Sequence, residues 1–297
     1  MKVLVIGCKG KIGYEVCLAL KDKGIAFIAP SQAELDLTCP EQIQSAIKQY
    51  QPSIVVNAAS YNDPSGAENE PTFCYRVNRD GSAVLADCCR QQGCKLIHLS
   101  SYRVFDGLQQ ESYDEQDSPN PSRVHAISRW QGEEQIRQRC PEHIILRFSW
   151  IISKRRNNIL TRLLKQISHH QEVTVTSDQV GCPTPACDAA RVVVAIIQQI
   201  KYGADAWGTY HYAGTEAISA NSFAEIVVTE AANHHHLKVK KLKMNKMDNR
   251  EGVRPPANAV LNCSSVRNTF GIQTRSWRPV ITEIIRRYYH QEKIEAD

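Results

Sequence analysis

Met1 to Val16, MKVLVIGCKGKIGYEV, opens the chain and decides its fold. Val3-Leu4-Val5-Ile6 is a short apolar run rich in β-branched residues, the pattern of a strand buried on both faces. It stops at Gly7, and Gly10 and Gly13 follow. Val16, Leu18, Ala19 and Leu20 then supply the apolar residues of a helix. A strand, a glycine turn and a helix in that order predict a dinucleotide-phosphate site. Glycine lets the backbone turn tightly and approach a pyrophosphate, and the helix N-terminus offers free N–H groups and a partial positive charge. A plain strand-to-helix turn is the other reading; the position at the chain start, between strand and helix, favours the nucleotide.

The 297 residues suffice for one large α/β domain or for a dinucleotide-binding domain with a smaller lobe, and 42% hydrophobic residues supply a core. No apolar run approaches membrane-spanning length and no signal-peptide pattern is present, so a cytoplasmic protein without a membrane partner is expected. The net charge of +5 favours an anionic ligand such as a nucleotide, and is too small and scattered for nucleic acid. Eleven cysteines, an odd count without a C-x-x-C, read as reduced, mostly buried thiols. His169-His170 and His234-His235-His236 read as solvated helix ends, because consecutive histidines on a helix diverge.

Outward from the glycine loop, Ile25 to Ala29 predicts a second strand. An acidic residue at its end would bind a ribose 2′-hydroxyl, as in NAD sites. Ala29-Pro30-Ser31-Gln32 holds neither an acid nor an arginine, leaving NADP and NAD both open as cofactor. Asp36 and Leu37 follow as candidate cofactor contacts, the plainer role of Asp36 being a turn or cap before a helix over Pro40 to Tyr50. Ile54 to Ala59 predicts a strand whose small end, Asn57-Ala58-Ala59, leaves room for a cofactor. A helix over Pro71 to Gln92 carries Asn78, and Lys95 to Ser101 predicts a strand ending in Ser100-Ser101. The alternation predicts an α/β fold, a Rossmann-type doubly wound parallel sheet.

With these stretches in view, the chain resembles the dTDP-4-dehydrorhamnose reductase family of extended short-chain dehydrogenase/reductases. The matching stretches are Gly7-Cys8-Lys9-Gly10-Lys11-Ile12-Gly13, Asn57-Ala58-Ala59, Ser100 to Gly107, Arg147-Phe148-Ser149-Trp150, Asp178 to Thr184, Tyr210 to Gly214 and Arg254 to Asn258. They span nearly the whole chain in family order. The resemblance implies a Rossmann domain over residues 1–150 and a smaller substrate lobe, mainly 151–297, interleaved with late strands of the main sheet. It implies NADP or NAD held by Gly7, Gly10, Lys11, Ile12, Gly13, Asp36, Leu37, Asn57, Ala58, Ala59, Ser100 and Arg129. It also implies a nucleotide-sugar substrate met by Tyr102, Trp150 and Arg254, and it leaves a homodimer open. An arginine such as Arg254 suits a diphosphate through bidentate hydrogen bonds, its plainer role being a surface ion pair.

The departures concern the chemistry. The family pattern N-x-Y-G-x-x-K places its catalytic tyrosine at His125 and its lysine at Arg129; the Asp and Tyr of S-T-D-Y-V-F become Tyr102 and Arg103. Reducing a ketone needs a hydride on carbon and a proton on oxygen. Histidine donates protons but is shorter than tyrosine, and arginine keeps the charge while presenting a planar fork. Two readings follow. One is a reductase of a 4-keto nucleotide-sugar, in deoxysugar or polysaccharide precursor synthesis, using Ser101, His125 and Arg129. The other is a non-catalytic NAD(P)-binding regulatory subunit of the methionine adenosyltransferase β type, whose C-terminal pattern resembles Leu261-Asn262-Cys263-Ser264.

Further predictions are helices over Arg129 to Cys140, Asn157 to Ser168 and Ala186 to Lys201, and strands over Ile144 to Phe148 and Val173 to Thr176. Lys238 to Lys246, KVKKLKMNK, predicts an exposed edge strand. Some family members hold a metal between acidic residues; Glu15 matches one such position, Cys187 stands at the second, and no metal is expected.

Overall fold

The structure, a computed structural model, describes residues 1–246 and 256–296, with side chains from 291 onward outside the description; Arg254 therefore lies outside the described residues. The first half alternates strand and helix: β1 (Val3–Ile6), α1 (Lys11–Asp22), β2 (Phe27–Ile28), α2 (Pro40–Tyr50), β3 (Ile54–Asn57), α3 (Pro64–Asn69), α4 (Pro71–Tyr75), a π-helical turn (Arg76–Asp80), α5 (Gly81–Gln92), β4 (Lys95–Ser101), α6 (Val124–Arg139) and β5 (His143–Phe148). Beyond it lie β6 (Ile151–Ile152), α7 (Ile159–His169), β7 (Glu172–Thr176), β8 (Val180–Gly181), β9 (Thr184–Pro185), α8 (Ala186–Lys201) and β10 (Gly208–Tyr212). β11 (Ile218–Ser219), α9 (Ala220–Ala232), β12 (Lys241–Asn245), β13 (Asn258–Ala259), α10 (Ser264–Phe270) and α11 (Arg278–Ala296) complete the order.

Six strands form one parallel sheet in the order β10-β5-β4-β3-β1-β2. Both faces are apolar, as the short unbroken runs require. Val3, Val5, Ile54, Val56, Ile97, Ile144 and Leu146 pack on one side beneath α1 and α8. Leu4, Ile6, Val55, Leu96 and Ile145 pack on the other with α2, α5 and α6. Side chains alternate faces along a strand, so the run VLVI fills both cores at once. A third core, around Trp150, Phe223, Trp277 and Tyr289, lies among α7, α9 and α11. Small sheets, β11-β8-β13, β12-β7 and β6-β9, surround it.

Two elements differ from their sequence patterns for physical reasons. The helix expected over Pro71 to Gln92 is broken by the π turn at Arg76–Asp80. There the Asn78 carbonyl reaches toward α6, where a Cβ on Gly132 would stand 2.2 Å from it. The Asn78 side chain turns inward, accepting from Tyr61 N at 2.8 Å and donating to Ser128 Oγ at 3.0 Å. α6 begins at Val124 rather than Arg129, because its buried face is polar: His125, Ser128, Arg129 and Glu133 are all buried. β12 is the exposed strand expected within Lys238 to Lys246; it pairs with β7, and Lys243 forms an ion pair with Glu172. All eleven cysteines are free thiols. His234 follows α9 with Nε2 3.2 Å from Glu230, while His235 stacks on Tyr289 at 4.5 Å. Among the described residues no helix is long and apolar enough to cross a membrane.

Candidate functional site

The glycine loop crosses directly over the end of β3. Gly7 has φ +81°, and a Cβ there would stand 2.5 Å from Ala59 N; one on Gly13 would stand 2.3 Å from the Gly7 carbonyl. Both glycines are fixed by the loop's own packing. Gly10 is different: its Cβ would meet only the Gly7 and Ala58 carbonyls, at 3.1 and 3.8 Å, leaving its other side open. Gly10 caps α1 without a side-chain hydrogen bond, and the first turn carries no acid, so the helix's free N–H groups and positive end are uncompensated. Lys11 starts α1, and Ile12 packs on the core beneath it. Asn57 Oδ1 accepts from Ala59 N at 3.1 Å while Nδ2 lies 3.1 Å from His98 Nδ1, holding the Asn57-Ala58-Ala59 corner against Gly7. Gly13→Ala is expected to cost about 1–3 kcal/mol by overpacking and to distort the loop before Tm falls below working temperature; thermal melts and cofactor titration check it.

Lys11 Nζ donates to Asn157 O at 3.1 Å, and Arg156 Nε to Lys9 O at 2.9 Å, tying the loop to the segment before α7. Burial, with the charges of Arg156, Arg129, Arg162 and Arg103, lowers the Lys11 ammonium to about 8. Four guanidiniums thus lie close enough to Lys11 to act on its charge.

Asp36 and Leu37 are engaged locally. Asp36 Oδ1 accepts from Thr38 N at 2.7 Å and from the Thr38 hydroxyl at 2.8 Å, an Asx turn before α2. Burial pushes its carboxyl up, but the Thr38 hydrogen bonds outweigh it and hold it below the usual range. Leu37 is buried, with its carbonyl against Gly81.

The end of β4 rests on a buried ion pair. Ser100 Oγ donates to Glu133 Oε1 at 2.5 Å, and Arg147 grips the same carboxylate through Nε at 3.1 Å to each oxygen and through an NH2 contact of 2.6 Å. Arg137 adds a bond of 2.9 Å. Burial alone would raise Glu133; the guanidiniums of Arg147 and Arg137 and the Ser100 hydroxyl hold it down to about 2. Arg147 lies 5.0 Å from the Phe105 ring centroid and 3.4 Å from His211 Nε2. Above this network Ser101 Oγ accepts from Arg103 N at 3.3 Å, and Tyr102 turns inward with the Arg103 guanidinium 5.5 Å from its ring.

His125 and Arg129 stand on successive turns of α6. His125 is 2% exposed, and among the described residues its Nε2 has no hydrogen-bond partner. Burial, then Arg129, Arg103 and Lys11, push the imidazole well below its usual range, so it is neutral at pH 7. It borders a cavity of about 30 Å³ with Arg103, Phe105, Asp106, Arg123 and Pro256. Arg129, 7% exposed, donates from NH2 to Leu99 O at 2.8 Å, while among the described residues its Nε has no partner. Burial lowers it to about 10, with Glu133 opposing. The fold thus gathers Ser101, Tyr102, His125 and Arg129 at the end of β4. Trp150 packs in the third core in one cluster with Tyr102 and Phe105; a Cβ on Gly181 would touch its ring at 2.4 Å, and it does not itself border the His125 cavity. Among the described residues no three His, Cys, Asp or Glu side chains gather as metal ligands.

Sequence reading missed the Glu133–Arg147 pair as a support, because charged residues read as surface. It missed Arg156 because the stretch just after Trp150 has no regular pattern, and Arg162 because a charged residue on a predicted amphipathic helix reads as surface. Arg103 was visible only as a departure from a motif.

The RmlD substrate-binding domain model matches residues 1–290. A dTDP-4-dehydrorhamnose reductase of Sinorhizobium fredii is 32% identical over 282 residues, 93% of this chain and 94% of that protein. A dTDP-4-dehydrorhamnose reductase structure from Clostridium acetobutylicum superposes with a TM-score of 0.87 at 27% identity, covering 96% of this chain and 98% of that one. One from Bacillus anthracis in complex with NADP gives 0.83 at 25% identity, covering 98% and 99%.

Proposed function

From the premise that the chain belongs to the dTDP-4-dehydrorhamnose reductase family, we propose that it binds NADPH or NADH and reduces the 4-keto group of a nucleotide-linked sugar. The uncapped α1 N-terminus, the open side of Gly10 and Lys11 suit the cofactor's diphosphate. When bound, the nicotinamide supplies the hydride. Arg129 reaches toward ribose hydroxyls with the Nε that has no protein partner. Ser101 and Tyr102 orient the sugar with Trp150 behind them, and Arg254 is assigned to its diphosphate.

The observation that carries this reading is the buried Nε2 of His125, without a partner beside Arg129 and close enough to Lys11 to feel its charge. A buried polar atom left without a hydrogen bond costs free energy, and substrate carbonyl oxygen is a fitting acceptor. With Nε2 protonated, the neutral imidazole donates to that oxygen and polarises the carbonyl. His125→Ala is expected to lower kcat for NAD(P)H oxidation with a 4-keto nucleotide-sugar by roughly a hundredfold, with cofactor affinity retained. A fluorescence titration without NADPH or NADH binding would remove the reading altogether.

A second reading has its own observation. Burial, with the cations around it, keeps His125 neutral and so makes it a weak proton donor, which suits an NAD(P)-binding regulatory subunit of the methionine adenosyltransferase β type. Cofactor binding without turnover on any keto-sugar would favour it.

A further inference from the structure

The cavity beside α6 contains more positive charge than a nicotinamide cofactor accounts for. Arg103, Arg123 and His125 line it, closed by Phe105, Pro64 and Pro256, and no residue of the glycine loop borders it. His125, whose Nε2 has no hydrogen-bond partner among the described residues, is one of the residues that line it. Among the described residues neither Arg103 nor Arg123 has an ion-pair partner, and the contact of the Arg103 guanidinium is the face of Tyr102 at 5.5 Å. One acid, Asp106, reaches the same cavity. Its carboxylate, held by Leu108 N at 2.9 Å, Tyr113 OH at 2.8 Å and Asn120 Nδ2 at 3.0 Å, offsets one of the two guanidiniums and leaves the other without a counter-charge in the cavity.

Partly buried cations without counter-charge destabilise the fold that gathers them, and an anion that completes the site offsets that cost. The diphosphate of a nucleotide at the glycine loop answers Lys11 and Arg156, which are tied to that loop. Arg103 follows β4 and lies close enough to Lys11 to act on its charge, but it lines a cavity that no residue of the glycine loop borders, together with His125. A neutral deoxysugar offers this guanidinium hydroxyls alone. A carboxylate matches its planar fork with two parallel charge-assisted bonds, and the volume of about 30 Å³ admits a group of that size beside His125.

We infer that the sugar taken by this site carries a carboxylate, held by Arg103 next to the carbonyl that faces His125. The substrate class is then a nucleotide-linked keto-uronate, and Arg103 is the residue that sets this specificity. The inference rests on the nucleotide-sugar reading given above.

The substrate's diphosphate presents similar anionic chemistry, so the test holds it constant. Isothermal titration of the full chain, loaded with NADPH, compares UDP-glucuronate with UDP-glucose and dTDP-glucuronate with dTDP-glucose. Each pair differs by one carboxylate. The uronate is expected to bind at least about tenfold more tightly, roughly what one charge-assisted pair supplies. Arg103→Gln should bring the ratio near one, and Arg103→Lys, which keeps the charge but loses the fork, should fall between. NADPH affinity in each variant reports that the fold is intact. Equal affinities in the wild type, or a preference that survives Arg103→Gln, overturn the carboxylate assignment alone. Binding of neither sugar-nucleotide by the NADPH-loaded chain overturns it together with the nucleotide-sugar reading.

Discussion

Glu133→Gln is expected to destabilise the protein by about 3–5 kcal/mol, the usual cost of breaking a buried ion pair by removing one partner. In a chain of this size that is a fall in Tm on the order of 10 °C, read by calorimetry. Glu133 and Arg147 have side chains 0% and 1% exposed. Glutamine keeps the shape but not the charge, so Arg147 is left as a buried cation with His211 and an aromatic face around it. Ser100 loses its carboxylate acceptor at the same time. Glu133→Leu combined with Arg147→Met should recover part of the loss, because it removes the uncompensated charge as well as the pair.

The same pair sets a pH dependence. Burial favours the protonated acid, but the guanidiniums win and lower Glu133 from 4.5 to about 2. A carboxyl depressed on folding stabilises the native state fully above its unfolded value and loses that contribution as pH falls through its folded value. Wild-type Tm should therefore drop through the window from about 4.5 to about 2, and the Glu133→Gln curve should be flatter there. Parallel curves in this window would mean that the pair carries no such linkage. The pair also supports the site: Ser100 on Glu133 and Arg129 on Leu99 O pin the end of β4 from which Ser101 and Tyr102 project.

What the sequence reveals here depends on whether the information is local. The VLVI run and Gly7, Gly10 and Gly13 are contiguous, and each constraint acts within a few residues, so the loop and its sheet were legible. α8 was legible to the residue because its apolar face is regular. α6 was misread at its start because the face it buries is made of His125, Ser128, Arg129 and Glu133, which carry no apolar period. The π turn packs against Gly132 of α6, a residue remote from it in sequence. The partner that makes Glu133 a support lies on β5, and the lack of an ion-pair partner for Arg103 among the described residues is a property of space, invisible along the chain. Asp36 was legible in its plainer role, the turn before α2; a part in cofactor binding stays a proposal.

The largest expected change is a gain. His125→Tyr combined with Arg129→Lys should raise kcat for reduction of a nucleotide-linked 4-keto-sugar by about a hundredfold or more, the range that a positioned general acid supplies. A neutral imidazole that gives up its Nε2 proton becomes an imidazolate, a far worse product than a phenolate. A tyrosine at 125 extends into the cavity of about 30 Å³ that His125 lines, and so reaches further toward the carbonyl. A lysine at 129 places an ammonium beside it, and Arg103 and Lys11, whose charges reach this position, lower the phenol from its usual value near ~10. Neither substitution alone should suffice: tyrosine beside Arg129 keeps the fork bound to Leu99 O, and lysine beside His125 leaves the weak acid in place. The excess of the double variant over the two singles therefore measures their coupling. If the double variant binds NADPH as the wild type does and still fails to turn over, the cleft is not built for reduction, and the regulatory reading takes its place.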